Sequence, residues 1–188
     1  HRARRYTEAD VRDLYACRAI LEAEAMREVA ARGLSAEQAA ALERIVLGME
    51  AILEKSAASG HYGPEMRDTF RRMNNEFHGF LYSLVQNRTL KKLIDQITDL
   101  PFAVRTFANF TPDQIRESHV AHKRILAALI ARDAVRADAL MREHIWAARD
   151  RVLQARDIHG DSGRHRGRRR AARRRGAHAA GRIGSDAR

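Results

Sequence analysis

Cysteine is nearly absent from this sequence. Cys17 is the only one among 188 residues, which excludes a disulfide framework and suits a reducing compartment. It falls beside a helical apolar stripe and reads as a packing residue, not a nucleophile. Long apolar runs are lacking as well: none approaches the ~18 residues that cross a bilayer, and no signal-like segment opens the chain. The expectation is a cytoplasmic protein with no membrane contact. Only three prolines occur, Pro64, Pro101 and Pro112, and each reads as a helix boundary. No convincing alternating strand, Gly-rich phosphate loop, nucleophile elbow or zinc-finger spacing is found.

What is present suits one soluble domain with a core of its own, at 45% hydrophobic residues. The net charge of +11 is unevenly spread. Residues 156–188 hold 11 arginines against 3 aspartates, whereas residues 1–155 hold 24 basic and 21 acidic side chains. The tail has almost no large apolar residue, so it is expected to be disordered. Such an arginine cluster could hold nucleic acid non-specifically through phosphates; the plainer reading is a solvated extension. Residues 1–6 read as the end of a linker.

Residues 7–155 divide into six or seven helices, an all-α bundle of antiparallel neighbours. Thr7 with Asp10 caps the first helix and Gly33 ends it; Ser35 with Gln38 caps a second, running to about Ser59–Gly60. Pro64 opens a third that is expected to last to about Asn87, and a short fourth spans Thr89 to Leu100, closed by Pro101. Residues 102–110 could add a turn or two. Thr111-Pro112 caps a helix to about Arg132, and Asp133 caps the last, to about Ala155.

Polar residues interrupt the apolar stripes of these helices. On the first, Arg18 and Glu22 stand among Val11, Leu14, Tyr15, Leu21, Ala25 and Val29. On the third, Asn74 and His78 stand one turn apart among Phe70, Met73, Phe77, Leu81, Leu84 and Val85. His122 lies among Ile115, Ile125, Leu126 and Leu129, and His144 among Ala137, Leu140, Met141, Ala147 and Ala148. A buried polar group needs a partner. Three imidazoles and an amide from separate helices could share one transition metal, or each could be hydrogen-bonded separately in the core. His119, one turn before His122, is expected to be exposed.

Together these residues resemble the C-terminal effector-binding (FCD) domain of the FadR subfamily of GntR-type transcription regulators. The resemblance rests on Leu14-Tyr15-Ala16-Cys17-Arg18-Ala19-Ile20-Leu21-Glu22 and on Asn74-Asn75-Glu76-Phe77-His78-Gly79-Phe80-Leu81 followed by Asn87. It continues in His122-Lys123-Arg124-Ile125-Leu126-Ala127-Ala128-Leu129 and Met141-Arg142-Glu143-His144, and covers roughly residues 5–155. It implies an antiparallel helical bundle enclosing a metal and ligand pocket, with a divalent ion (zinc, nickel or manganese) held there by Asn74, His78, His122 and His144. Many members carry Asp where this chain has Asn74, so weaker metal binding and a more positive site are expected.

The resemblance also implies a homodimer acting on operator DNA through an N-terminal winged-helix domain. This chain is expected to lack that domain, and so to sense and dimerise without reading an operator. An ion with open positions, together with Arg18, would anchor a small carboxylate effector, with Glu22 orienting Arg18 or serving as a plain ion-pair partner. Thr69, Arg71 and Arg105 could add polar contacts. Two other classes of function compete. A metal-dependent helical enzyme would need a general base, and Glu76 and Glu143 are expected to face outward. A non-specific nucleic-acid binder would act through the arginine tail. The expectation is a sensor and not an enzyme.

Overall fold

The computed structural model describes residues 7–98 and 110–155. The expected linker at 1–6, the turn at 102–109, Pro101, Arg105 and the arginine tail lie outside the described residues. Residues up to Val152 form one compact unit; of a second, from Leu153, only 153–155 are described, as the last turn of a helix. Six helices make up the described residues: α1 (Glu8–Arg32), α2 (Ala36–Ser59), α3 (Pro64–Ser83), α4 (Arg88–Thr98), α5 (Pro112–Ile130) and α6 (134–155). None of these helices is long and apolar enough to cross a membrane.

Local chemistry sets most of the boundaries. Thr7 with Asp10, Ser35 with Gln38 and Thr111 with Gln114 each form a reciprocal capping box. Each such cap contributes about 1 kcal/mol by satisfying backbone N–H groups that have no partner within the helix. Pro64 and Pro112 occupy first-turn positions that need no N–H. Asp133 accepts from the backbone N–H of Arg136 at 3.0 Å and so caps α6. At the other ends, Gly33 (φ 84°) and Gly60 (φ 66°) take positive φ, which costs glycine little.

Two boundaries differ from the sequence reading, each for a tertiary reason. Helix α3 stops at Ser83, before the expected Asn87, because α1 satisfies the turn that follows. Glu28 accepts from the backbone N–H groups of Gln86 (2.6 Å) and Asn87 (3.3 Å), and Arg32 donates to the Leu84 carbonyl at 2.7 Å. Asn87 is then free to cap α4 through Leu90 N–H at 3.1 Å. Helix α5 stops at Ile130, not Arg132. Arg132 adopts φ 58°, and the Asp133 N–H reaches back to the Ala128 carbonyl at 3.0 Å, a Schellman closure built on arginine in place of glycine. The Arg132 guanidinium donates to the Ala31 and Arg32 carbonyls at 3.3 and 3.0 Å, fastening this turn to the end of α1.

Helix α1 contacts α3, α4 and α5, while α2 packs on α3 and α5. This central place explains why α1 buries more than the single expected stripe: Ala19, Ala23, Met26 and Ala30 are buried, while Leu14 and Leu21 are half-buried. The small residues let neighbouring helices approach closely. Cys17, read as a packing residue, is instead exposed. The core gathers Tyr15, Met26, Met49, Phe70, Phe77 and Leu129.

Candidate metal and effector site

Helix α3 places Asn74 and His78 on one face, a turn apart, and α5 and α6 direct His122 and His144 to the same point. The three histidines offer ligand atoms all within 4.8 Å of one another. The Nε2 atoms of His78 and His144 are 3.3 Å apart, and these two rings stack with centroids at 5.2 Å. The His122 ring lies 5.3 Å from that of His78, 4.7 Å from that of His144 and 4.8 Å from the Phe77 ring. His122 and His144 are buried, whereas His78 keeps part of its surface on an adjoining cavity.

Burial leaves polar atoms here without partners. Both ring nitrogens of His122, Nδ1 of His144 and Oδ1 of Asn74 have no hydrogen bond. Each such atom costs about 1–3 kcal/mol unless something satisfies it. Among the described residues, the one bond of the Asn74 side chain runs from Nδ2 to Asn75 Oδ1 at 3.4 Å, so its oxygen is not used. Three imidazole nitrogens and an amide oxygen are a donor set suited to a divalent transition metal.

The same burial keeps the imidazoles neutral, the form that ligates. His78 is pushed down to about 3, first by burial and then by the Arg18 charge. His122 is held well below its ordinary value by burial and by its histidine neighbours, and His144 by burial and by His78.

A relay behind His78 sets its tautomer. Tyr82 donates its hydroxyl proton to the buried Glu22 carboxylate. The Tyr82 oxygen can therefore accept from His78 Nδ1, 3.1 Å away. With that proton on Nδ1, Nε2 keeps its lone pair toward His144. Glu22 also accepts from Arg18 Nε at 2.7 Å, and the Arg18 guanidinium lies 4.8 Å from the Tyr15 ring centre. Burial opposes the Arg18 charge, but Glu22, Tyr15 and Tyr82 together hold the guanidinium above its ordinary value.

Beside the histidines is a cavity of about 370 Å³ whose wall includes Tyr15, Arg18, Asn74, His78, Tyr82 and His144. That volume suits a small molecule. Arg18, Asn74, His78 and His144 thus come together on it, as the stripe pattern anticipates. Glu22 stands behind Arg18 and is fully buried, and His122 is buried beside the other two histidines.

Other residues fall elsewhere. Thr69 donates to the Glu65 carbonyl and Arg71 pairs with Asp68, neither at the cavity. Glu76 and Glu143 are exposed. His119, expected on the surface, is instead buried at 5% exposure, with Nε2 3.9 Å from Glu50. Glu50 and Lys123, joined at 2.7 Å, roof it over from α2 and α5. Tyr82 was missed altogether. Its signal was available: it follows His78 by four residues and so shares its face.

The family model described as FCD domain matches residues 13–147, a span that contains Arg18, Glu22, Asn74, His78, Tyr82, His122 and His144. No curated protein matches the chain.

Proposed function

The chain belongs to the FCD domain family, a family of regulatory effector-binding domains and not of catalysts, and from that premise we propose that it is the metal-containing sensor of a GntR/FadR-type transcription regulator. Residues 7–155 are the effector-binding and dimerisation domain. Asn74, His78, His122 and His144 hold a divalent ion, zinc, nickel or manganese. The observation that carries this reading is the set of buried, unpartnered donor atoms on His122, His144 and Asn74 at one point of the bundle.

When bound, the ion would supply a Lewis-acid centre able to take an oxygen of a small organic acid. The chain's own residues do the rest. Arg18, already aligned through Nε by Glu22, presents the remainder of its guanidinium to the cavity and grips a carboxylate by charge-assisted hydrogen bonds. Tyr82 keeps His78 in the tautomer whose lone pair faces inward. Helices α1, α3 and α6 all touch the cavity, so an acid bound there favours one arrangement of these helices over another. In a homodimer that preference would pass to winged-helix domains on operator DNA.

Elemental analysis of purified protein, wild type against the His122→Ala, His144→Ala double variant, tests the metal. Near-stoichiometric metal in the wild type and its loss in the variant is the expected result. A wild type that takes up none of zinc, nickel or manganese overturns the metal-anchored mechanism.

A further inference from the structure

A second arginine, Arg151, lines the same cavity. Arg151 lies on α6 two turns beyond His144, about 10 Å along the helix axis. Helical side chains lean toward the N-terminus, so its guanidinium reaches back toward the histidines. Its charge is felt at both His122 and His144.

Arg151 is an unusual surface for a cavity to display. The residue is only 8% exposed, its guanidinium lies 5.6 Å from the Phe110 ring centre, and Nη1 is buried with no hydrogen bond. Its one ion-pair partner, Glu117, meets Nη2 at 3.0 Å from the solvent side and is itself 68% exposed. A carboxylate so exposed is screened by water and leaves the inner edge of the guanidinium uncompensated. The other cation among the described wall residues, Lys91, is 40% exposed, so water as well as Asp95, at 2.7 Å, satisfies it. Among the described residues, Arg18 and Arg151 are therefore the two largely buried cationic groups on the cavity wall.

We infer that the cavity takes an organic acid with two carboxylates, one gripped by Arg18 beside the histidines and the other by the guanidinium of Arg151. A monocarboxylate seated on Arg18 would leave Arg151 with only the exposed Glu117 as counter-charge, and a neutral ligand would do the same. A short dicarboxylate fits a cavity of about 370 Å³ and links the two ends. The inference rests on the reading that an acid enters this cavity, and adds which class of acid it is.

Titration calorimetry of the zinc-loaded full chain with succinate, glutarate, butyrate and pentanoate tests it. The dicarboxylates are expected to bind about tenfold or more tighter than the monocarboxylates of equal carbon number. Arg151→Gln is expected to bring the dicarboxylates down to the monocarboxylate level, leaving metal content and monocarboxylate affinity unchanged. Equal affinity for the two classes in the wild type, or an equal loss for both in Arg151→Gln, overturns the inference while the acid sensor stands. Failure of all four acids to bind removes the parent reading and this one with it. Should Arg151→Gln not fold, Glu117→Gln serves instead. It removes the exposed partner and keeps the arginine, so the preference for dicarboxylates should persist or grow; its disappearance counts against the inference.

Discussion

His78 and His144 face each other across the bundle with their Nε2 atoms 3.3 Å apart. Because His78 commits its proton to the Tyr82 oxygen, the proton in this contact comes from His144, leaving His144 Nδ1 as a buried acceptor with no donor. Removing the Tyr82 hydroxyl frees His78 to take either tautomer. Tyr82→Phe is expected to lower metal affinity by roughly tenfold to a hundredfold with little change in helix content. Competition with a chromophoric chelator measures the affinity, and nitrogen-15 spectra of the imidazoles report the tautomer; an unchanged pair of readings refutes the relay.

The buried histidines make the metal-free protein acid-sensitive. Their folded-state values are depressed, to about 3 for His78 and well below the ordinary 6.5 for His122 and His144. Below about pH 6.5 the unfolded chain therefore binds protons that the folded one refuses, so stability is full above that pH and falls as pH drops toward 3. Each histidine contributes a slope of at most about 1.4 kcal/mol per pH unit. Urea melts of chelator-treated protein should show this decline between pH 6.5 and 5, with a shallower slope in His122→Phe; a flat profile contradicts it.

Asn74 places an uncharged oxygen where a carboxylate would attract the ion more strongly. Asn74→Asp is expected to raise divalent-metal affinity by about tenfold or more, since a unit charge at ligand distance outweighs its own partial desolvation beside a cation. Isothermal titration with zinc decides, and no gain would place Asn74 outside the ligand set.

Arg18 and Glu22 form a buried pair, with Glu22 fully enclosed. Arg18→Gln leaves the Glu22 charge with Tyr82 alone, at a cost of about 3 kcal/mol, and should also abolish the thermal shift produced by carboxylates. Urea melts and a carboxylate thermal-shift screen separate the two effects. Retained carboxylate shifts in a folded variant would reduce the pair to a structural one.

Phe77 lies under the His122 ring at 4.8 Å and is fully buried. Phe77→Ala is expected to destabilise the domain by about 3–5 kcal/mol through the cavity it leaves and to loosen the histidine cluster above it. A denaturation midpoint unchanged by this substitution would show that the aromatic ring does not buttress the site.

Local chemistry, which acts within a few residues, made much of this protein legible in its sequence. Hydroxyl and carboxylate caps at Thr7, Ser35, Thr111 and Asp133, prolines at 64 and 112, and apolar recurrence at helical spacing identified every described helix. Polar interruptions of those stripes identified Arg18, Glu22, Asn74, His78, His122 and His144, because an imidazole or a carboxylate amid aliphatic neighbours is conspicuous in one dimension. The rest depended on groups far apart in the chain. Glu28 and Arg32 end α3 from 52 to 59 residues away, Glu50 and Lys123 roof over His119, and the crossing of α1 between its neighbours decides that Ala19 and Ala23 are core while Cys17 is surface. Only the packed bundle brings Tyr82 between His78 and Glu22 and carries Arg151 to the cavity, since a stripe shows which way a side chain faces but not what it meets there.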